Sequence, residues 1–237
     1  MNIPEDCVFY QTMELPGIGV IPGSWDHREA VDVFLGHVDF KNKSVLDVGP
    51  ANGFFSFEME KRGGQVTAVD LGQEIPWDMV PHPYLDEETL ASAIRHNVHT
   101  VERAFWFAHQ ILNSQVELVY SSVYNIPDNT EKTDIALMSN VLQHLRDPLL
   151  AIERVAEVVK QTLVITEALW YDNAEFIDNA GIRFVPRVET PEVNHSWWQV
   201  SPSFVIELLK LLGFQEITCE FHRQRFNYSS SDSNSRM

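Results

Sequence analysis

The sequence predicts an α/β fold: a doubly wound, mostly parallel sheet with helices on both faces and a helical insertion after the second strand. Three observations predict it. Short apolar runs of strand length alternate with segments whose apolar residues recur at three and four. The first clear run, residues 44–48, opens onto a turn of small residues and then a helix, the unit from which parallel sheets are built. Apolar residues make up 44% of the 237, enough to cover both faces of such a sheet.

The elements follow in order. Residues 1–23 carry Pro4, Pro16, Gly17, Gly19, Pro22 and Gly23 and read as an irregular arm. Ser24 or Asp26 can cap a helix to about His37 with Val31, Phe34 and Leu35 apolar, so 1–40 is an N-terminal arm and helix. Residues 53–62 form a helix closed by Gly63-Gly64, and 65–70 a second strand rich in β-branched residues. A proline-containing loop, 72–82, leads into one or two helices over 86–113, where Leu90, Ile94, Val98, Val101, Phe105, Ala108 and Leu112 recur; 72–113 is the insertion. Strands at 117–121, 134–138 and 161–166 follow, with a helix at 148–159 between the last two. Residues 170–200 read as irregular and aromatic. A helix at 203–212 ends at Gly213, a strand is predicted at 214–221, and the serine-rich stretch 228–237 reads as a disordered tail. Residues 1–227 are thus predicted to be one domain.

Charge narrows the partners. The formal net charge is −17, and a protein gripping a phosphate backbone needs a basic face, so nucleic acid is disfavoured. No run of about 18 apolar residues predicts a membrane span, and the first residues show no secretory leader. Two distant cysteines, Cys7 and Cys219, give neither a disulfide framework nor zinc spacing, which fits a cytoplasmic protein. The nine histidines show no paired spacing on a predicted helix, so no metal is expected. A monomer or homodimer is expected.

The turn "DVGPANG" (47–53) defines the candidate site. Small residues at 49, 51 and 53 let the backbone approach a ligand. Amides at the helix start can donate to a negative group. Asp70, about twenty residues beyond the turn, lies where a ribose-binding carboxylate belongs. The third glycine of a dinucleotide fingerprint is missing, and Asp47 would repel a pyrophosphate. A ligand with a cationic amino-acid end favours an acid there. S-adenosylmethionine (SAM) has a ribose, an adenine, an ammonium and a sulfonium, and no phosphate.

These residues resemble the first two motifs of the class I SAM-dependent methyltransferases, a Rossmann-like family. "VYSSVYNIPD" (119–128) is similar to the third-strand motif. "TDIALMSNVLQHLRDPLLAIERV" (133–155) resembles the fourth strand with its turn and helix, and "SWWQVSPSFVIELLKLLGF" (196–214) the C-terminal helix and strand entry. The resemblance covers roughly 24–221. It implies that Asp47, Gly49, Pro50, Ala51 and Gly53 line the methionine and ribose end and that Asp70 binds the ribose hydroxyls. Leu71 would flank adenine, Ser122 would stand where the family usually has an Asp for the adenine amine, Val123 would offer its amide to the ring, and Asn140 would lie beneath the sulfonium.

The nearest branch in pattern resembles the tRNA wobble-uridine carboxymethyltransferases, through "SWDHREAVDVFLGHVDFKNKSVLDVG", with Trp25 at the position of a cofactor-contacting Trp. That branch's carboxylate-binding Lys and Tyr are replaced by Ala30 and Gln143, so ordinary SAM is expected. The reading is methyl transfer to an O or N atom of a small, aromatic or apolar molecule. The alternatives are a tRNA wobble-uridine-modifying enzyme and a non-catalytic SAM-fold partner subunit.

A general base is needed only if the acceptor must lose a proton early. His144, Glu167 and His195 are the candidates, with His82 behind them; a structural histidine fixing its turn is the bland account of His144. Trp77, Phe105, Trp106, Phe107, Trp170, Tyr171, Trp197 and Trp198 fall in segments expected to overhang the strand C-termini, where they either form an apolar lid or belong to the core.

Overall fold

The computed structural model describes residues 3–72, 74–79, 83–84, 86–126, 132–169, 174–186 and 196–227. Along the chain the elements are β1 (Met13–Leu15), β2 (Gly19–Ile21), β3 (Trp25–Asp26), α1 (Val31–Phe34), β4 (Ser44–Val48), α2 (Phe54–Lys61), β5 (Gln65–Asp70) and α3 (Glu87–Leu112). There follow β6 (Glu117–Tyr120), β7 (Thr133–Ser139), α4 (Pro148–Val158), β8 (Val159–Thr166), α5 (Ala174–Asp178), β9 (Ile182–Phe184), β10 (Trp198–Val200), α6 (Pro202–Leu211) and β11 (Arg225–Phe226).

Five strands form one parallel sheet in the order β6-β5-β4-β7-β8. Side chains alternate across it with period two. Val45, Val66, Ala68, Ile135 and Leu137 face α1, α2 and α3. Leu46, Val48, Val69, Ala136 and Met138 face α4 and α6. Both faces are covered, which is why these strands read as continuous apolar runs. The winding reverses between β4 and β7, and the crevice beyond the carboxyl ends at such a switch point is where open α/β sheets bind ligands.

Local chemistry ends the helices where the sequence predicts. Asp86 accepts the Thr89 N–H at 2.9 Å to cap α3, and Asn113 closes it at φ +51. Asp147 caps α4 ahead of Pro148, and Ser201 caps α6 ahead of Pro202.

Several expectations are corrected. The helix predicted from residue 24 or 26 to 37 is one turn, α1, because Trp25–Asp26 pairs with β11 and the chain turns left-handed at Gly36 and His37. The arm is not irregular throughout: Pro16 and Gly17 make the turn of the β1–β2 hairpin, closed by Ile18 N–H to the Leu15 carbonyl at 3.1 Å. Residues 170–200 hold α5 and the β9–β10 pair.

The strand predicted at 214–221 does not form. Its packed residues, Phe214 and Ile217, are three apart, a spacing that cannot keep both on one face of a pleated strand. Phe105 and Phe107 belong to the core rather than to a lid; α3 makes the β5-to-β6 crossover, and Phe105 packs against Phe57 of α2. The stretch 228–237 lies outside the described residues. Among those described, no helix is long and apolar enough to cross a membrane, and no group of three or more His, Cys, Asp or Glu could hold a metal ion.

Candidate cofactor and acceptor site

The chain leaves β4 through three left-handed residues in five: Gly49 (φ +73), Ala51 (+52) and Gly53 (+84). Glycine is required twice. A Cβ on Gly49 would lie 2.6 Å from Val141 Cγ2, and one on Gly53 2.5 Å from the Phe57 ring and 2.7 Å from the Phe105 ring. Ala51 holds its conformation despite its Cβ, at a cost of about 1–2 kcal/mol, the kind of strain that collects at ligand-binding turns. The buried Pro50 gives its carbonyl to Gly53 N–H at 2.8 Å. No side chain caps α2, which leaves its first amides to a ligand.

Two carboxylates, Asp47 and Asp70, flank this turn, and a third, Glu167, lies at the neighbouring turn after β7. Asp47 is 1% exposed and accepts the Ser56 hydroxyl at 2.5 Å, while its Oδ1 has no partner. Its influence on a ligand therefore passes through the turn and not by the surface contact the sequence suggested. Asp70, half-buried, accepts N–H groups from Leu71 at 2.8 Å and from Ala51, so the end of β5 is tied to the turn after β4. Glu167, beyond β8, accepts the Leu142 N–H at 2.9 Å together with those of Val141 and Gln143. This bonding makes Glu167 the anchor of the turn that follows β7.

Burial, only partly offset by these bonds, pushes Asp47 and Glu167 up to about 7 and Asp70 to about 6. The proximity of Asp70 raises Asp47 further. None of the three pairs with a Lys, Arg or His among the described residues. In the unfolded chain these carboxyls ionise near their ordinary values of 3.8 and 4.5. Their stabilising contribution is full below about pH 4 and is lost as pH rises to about 7. Thermal melts of the ligand-free protein should show this as a difference between wild type and Asp47→Asn, which keeps an oxygen for Ser56. The variant should gain melting temperature steadily from about pH 4 to 8 relative to wild type. Parallel curves would assign the penalty elsewhere.

Sequence reasoning missed the arm's part in the site. Asn52, fully buried, accepts the Gln11 N–H at 2.8 Å and donates to the Gln11 carbonyl at 3.1 Å, pairing the arm to the turn as a strand would. Trp25 donates its indole N–H to the Tyr10 hydroxyl at 3.2 Å, and its backbone joins Tyr10 and Thr12. No local pattern links residues 10–11 to 52. Asn52→Ala leaves two backbone groups of Gln11 buried without partners and should cost about 2–4 kcal/mol, read from denaturant unfolding.

At the ends of β6 and β7, Ser122 accepts the Tyr124 N–H at 3.3 Å, capping the turn that holds the buried Val123. Leu71 is half-buried beside Asp70. Asn140 (φ +53) donates its N–H to the Thr166 carbonyl and accepts the Ala168 N–H through Oδ1 at 2.7 Å, bridging the ends of β7 and β8. Asp70, Leu71, Ser122 and Val123 thus share the β5–β6 side of the sheet edge, and Asn140 and Glu167 the β7–β8 side, while Trp25 sits in the arm, paired with β11.

An aromatic rim stands beside His144. Trp77 meets its ring edge-on at 5.6 Å; Trp197 donates to the Asp78 carbonyl at 2.9 Å and carries Arg146 on its face at 5.3 Å; Trp198 donates to the Arg146 carbonyl. Asp78 ties this loop to Tyr124 and to the Arg146 N–H. Trp106 is elsewhere, bonded to Tyr120 on the outer edge of the sheet. His82, His195, Trp170 and Tyr171 lie outside the described residues.

The methyltransferase domain family matches this chain over residues 27–232, and the chain belongs to that family. The chain is 28% identical over 120 residues, 51% of its length, to the ubiquinone biosynthesis O-methyltransferase of Hydrogenovibrio crunogenus, and spans 39% of that relative. Its fold is similar to an O-methyltransferase family protein of Burkholderia thailandensis (TM-score 0.56, 16% identity, 84% of this chain and 54% of that one). It is also similar to magnesium protoporphyrin IX methyltransferase of Synechocystis PCC 6803 with bound S-adenosylhomocysteine (TM-score 0.52, 15% identity, 79% and 73%).

Proposed function

We propose that the protein transfers a methyl group from SAM to an O or N atom of a small aromatic or apolar molecule. One observation carries the cofactor half: Asp47 and Asp70 stand at the turn after β4 and Glu167 at the neighbouring turn after β7, none with a cationic partner among the described residues. A phosphate-bearing dinucleotide would add to that negative charge, whereas a sulfonium and an ammonium relieve it. The cofactor, when bound, supplies a methyl group made electrophilic by its sulfonium.

The chain's own residues do the rest. Asp70 receives the ribose hydroxyls, and Gly49, Pro50, Ala51 and Gly53 supply backbone at close range. Leu71, Ser122 and Val123 form the adenine side, and Asn140 stands at the methyl-bearing end. Trp77, Trp197 and Trp198 exclude water and hold a flat or apolar acceptor, so that catalysis is chiefly alignment of the acceptor atom for in-line attack. His144, in contact with Trp77, takes the acceptor's proton if the atom is a phenol oxygen.

The relative named for ubiquinone biosynthesis is an O-methyltransferase, which supports an oxygen acceptor. The net charge of −17 supports a small molecule over tRNA.

The test is transfer of labelled methyl from SAM to a panel of phenols and aromatic amines, with tRNA as a parallel substrate. Labelling of phenols or amines alone supports the reading; salt-sensitive labelling of tRNA alone overturns it. His144→Ala should lower kcat about 100-fold with S-adenosylhomocysteine affinity unchanged. Loss of melting temperature in step with activity would instead make His144 a structural part of its turn.

A further inference from the structure

The cofactor assigned to the turn carries one anion, the carboxylate of its amino-acid end, and three carboxylates are a poor welcome for it. A donor is required, and the arm presents one. Tyr10 is fixed on three sides. Its carbonyl accepts the Trp25 N–H at 3.0 Å, its hydroxyl oxygen accepts the Trp25 indole N–H at 3.2 Å, and its neighbour Gln11 is clamped by Asn52. The hydroxyl's own hydrogen has no acceptor among the described residues. Burial pushes the phenol pKa up, and the nearby Glu167 carboxylate pushes it the same way, so the group stays protonated at neutral pH.

Topology places that donor. Asn52 holds Gln11, and with it the neighbouring Tyr10, at the turn that leaves β4, and Gly49 of that turn abuts Val141 beyond β7. In the described sheet β7 adjoins β4 on the side away from β5. Asp70 sets the ribose on the opposite, β5 side of the turn. An extended cofactor with its ribose at Asp70 therefore runs its amino-acid end toward β7, beneath Tyr10.

We propose that Tyr10 is a cofactor-binding residue whose phenol O–H donates to the amino-acid carboxylate of SAM, with Trp25 as the residue that positions it. This rests on the reading of the turn as a SAM site. The hydroxyl hydrogen needs an acceptor, and the carboxylate is the anionic acceptor at the amino-acid end, whereas the ammonium is itself a donor. The indole bond to the Tyr10 oxygen polarises the O–H and strengthens the donation. The arm, 41 residues from the turn in sequence at the Gln11–Asn52 pairing, thereby becomes part of the site.

The experiment is calorimetric titration of the full chain and of Tyr10→Phe with two ligands. S-adenosylhomocysteine has the carboxylate; 5′-methylthioadenosine keeps the nucleoside and sulfur and lacks it. Tyr10→Phe should weaken the first about tenfold or more and leave the second unchanged, because only a charge-assisted bond is removed. Trp25→Phe should show the same selectivity with a smaller loss. Equal losses for both ligands, or no loss for S-adenosylhomocysteine, overturn the proposal. If the unaltered chain binds neither ligand, the cofactor reading falls, and this proposal with it.

Discussion

Asp70→Asn should weaken S-adenosylhomocysteine binding about 100-fold while leaving the melting temperature unchanged or higher. Two ribose hydroxyls donating to one carboxylate make charge-assisted bonds, each stronger than a neutral pair by roughly a factor of two. The amide keeps one acceptor and loses both the second acceptor and the charge, a loss of about 3 kcal/mol or 100-fold. Folding is spared for a reason visible at the site. The Asp70 carboxyl is already pushed up to about 6 by burial, so the fold gains nothing from its charge. The Leu71 N–H, 2.8 Å from Oδ1, still finds an oxygen in the variant. Calorimetry and a thermal melt on the same sample read both halves. Undiminished affinity would place the ribose elsewhere.

Gly53→Ala should have the largest effect on folding. The added Cβ would meet the Phe57 ring at 2.5 Å and the Phe105 ring at 2.7 Å, on a residue held at φ +84. Both rings are buried between α2 and α3, so neither can move aside. Left-handed strain and overpacking together cost about 3 kcal/mol, which lowers the melting temperature by roughly 6–12 °C for a chain of this size. Gly213→Ala is the internal comparison: φ is +93 there, with nothing within 4 Å of the added carbon. It should lose about 1–2 kcal/mol, the backbone share alone. Equal losses at the two positions would show that crowding against Phe57 and Phe105 is not the cause.

The parallel sheet and its turn were legible because the signals are local. Val45, Leu46 and Val48 form an apolar run on a strand buried on both faces, and Gly49, Ala51 and Gly53 mark a turn whose backbone must run close. Asp70 was legible as the acid ending the next strand, about twenty residues beyond the turn, and it does end β5. What was hidden depends on contacts between distant segments. The pairing of Gln11 with Asn52 has no local periodicity, and the glycines and prolines of the arm signalled irregularity while building the β1–β2 hairpin. Phe105 and Phe107 were ambiguous because an apolar helix face looks the same whether it covers a core or a ligand; burial in the core cluster decides it. Glu167 looked like a base in sequence, and only the fold shows its oxygens receiving the amides of Val141, Leu142 and Gln143.

On the proposed reading, the turn after β4 holds a cationic nucleoside cofactor without phosphate. Calorimetric titration of the ligand-free chain at neutral pH with SAM and, separately, with NAD+ separates this cofactor from a dinucleotide. Saturable heat and a rise in melting temperature are expected with SAM, and neither with NAD+. Binding of NAD+ with no response to SAM would overturn the reading.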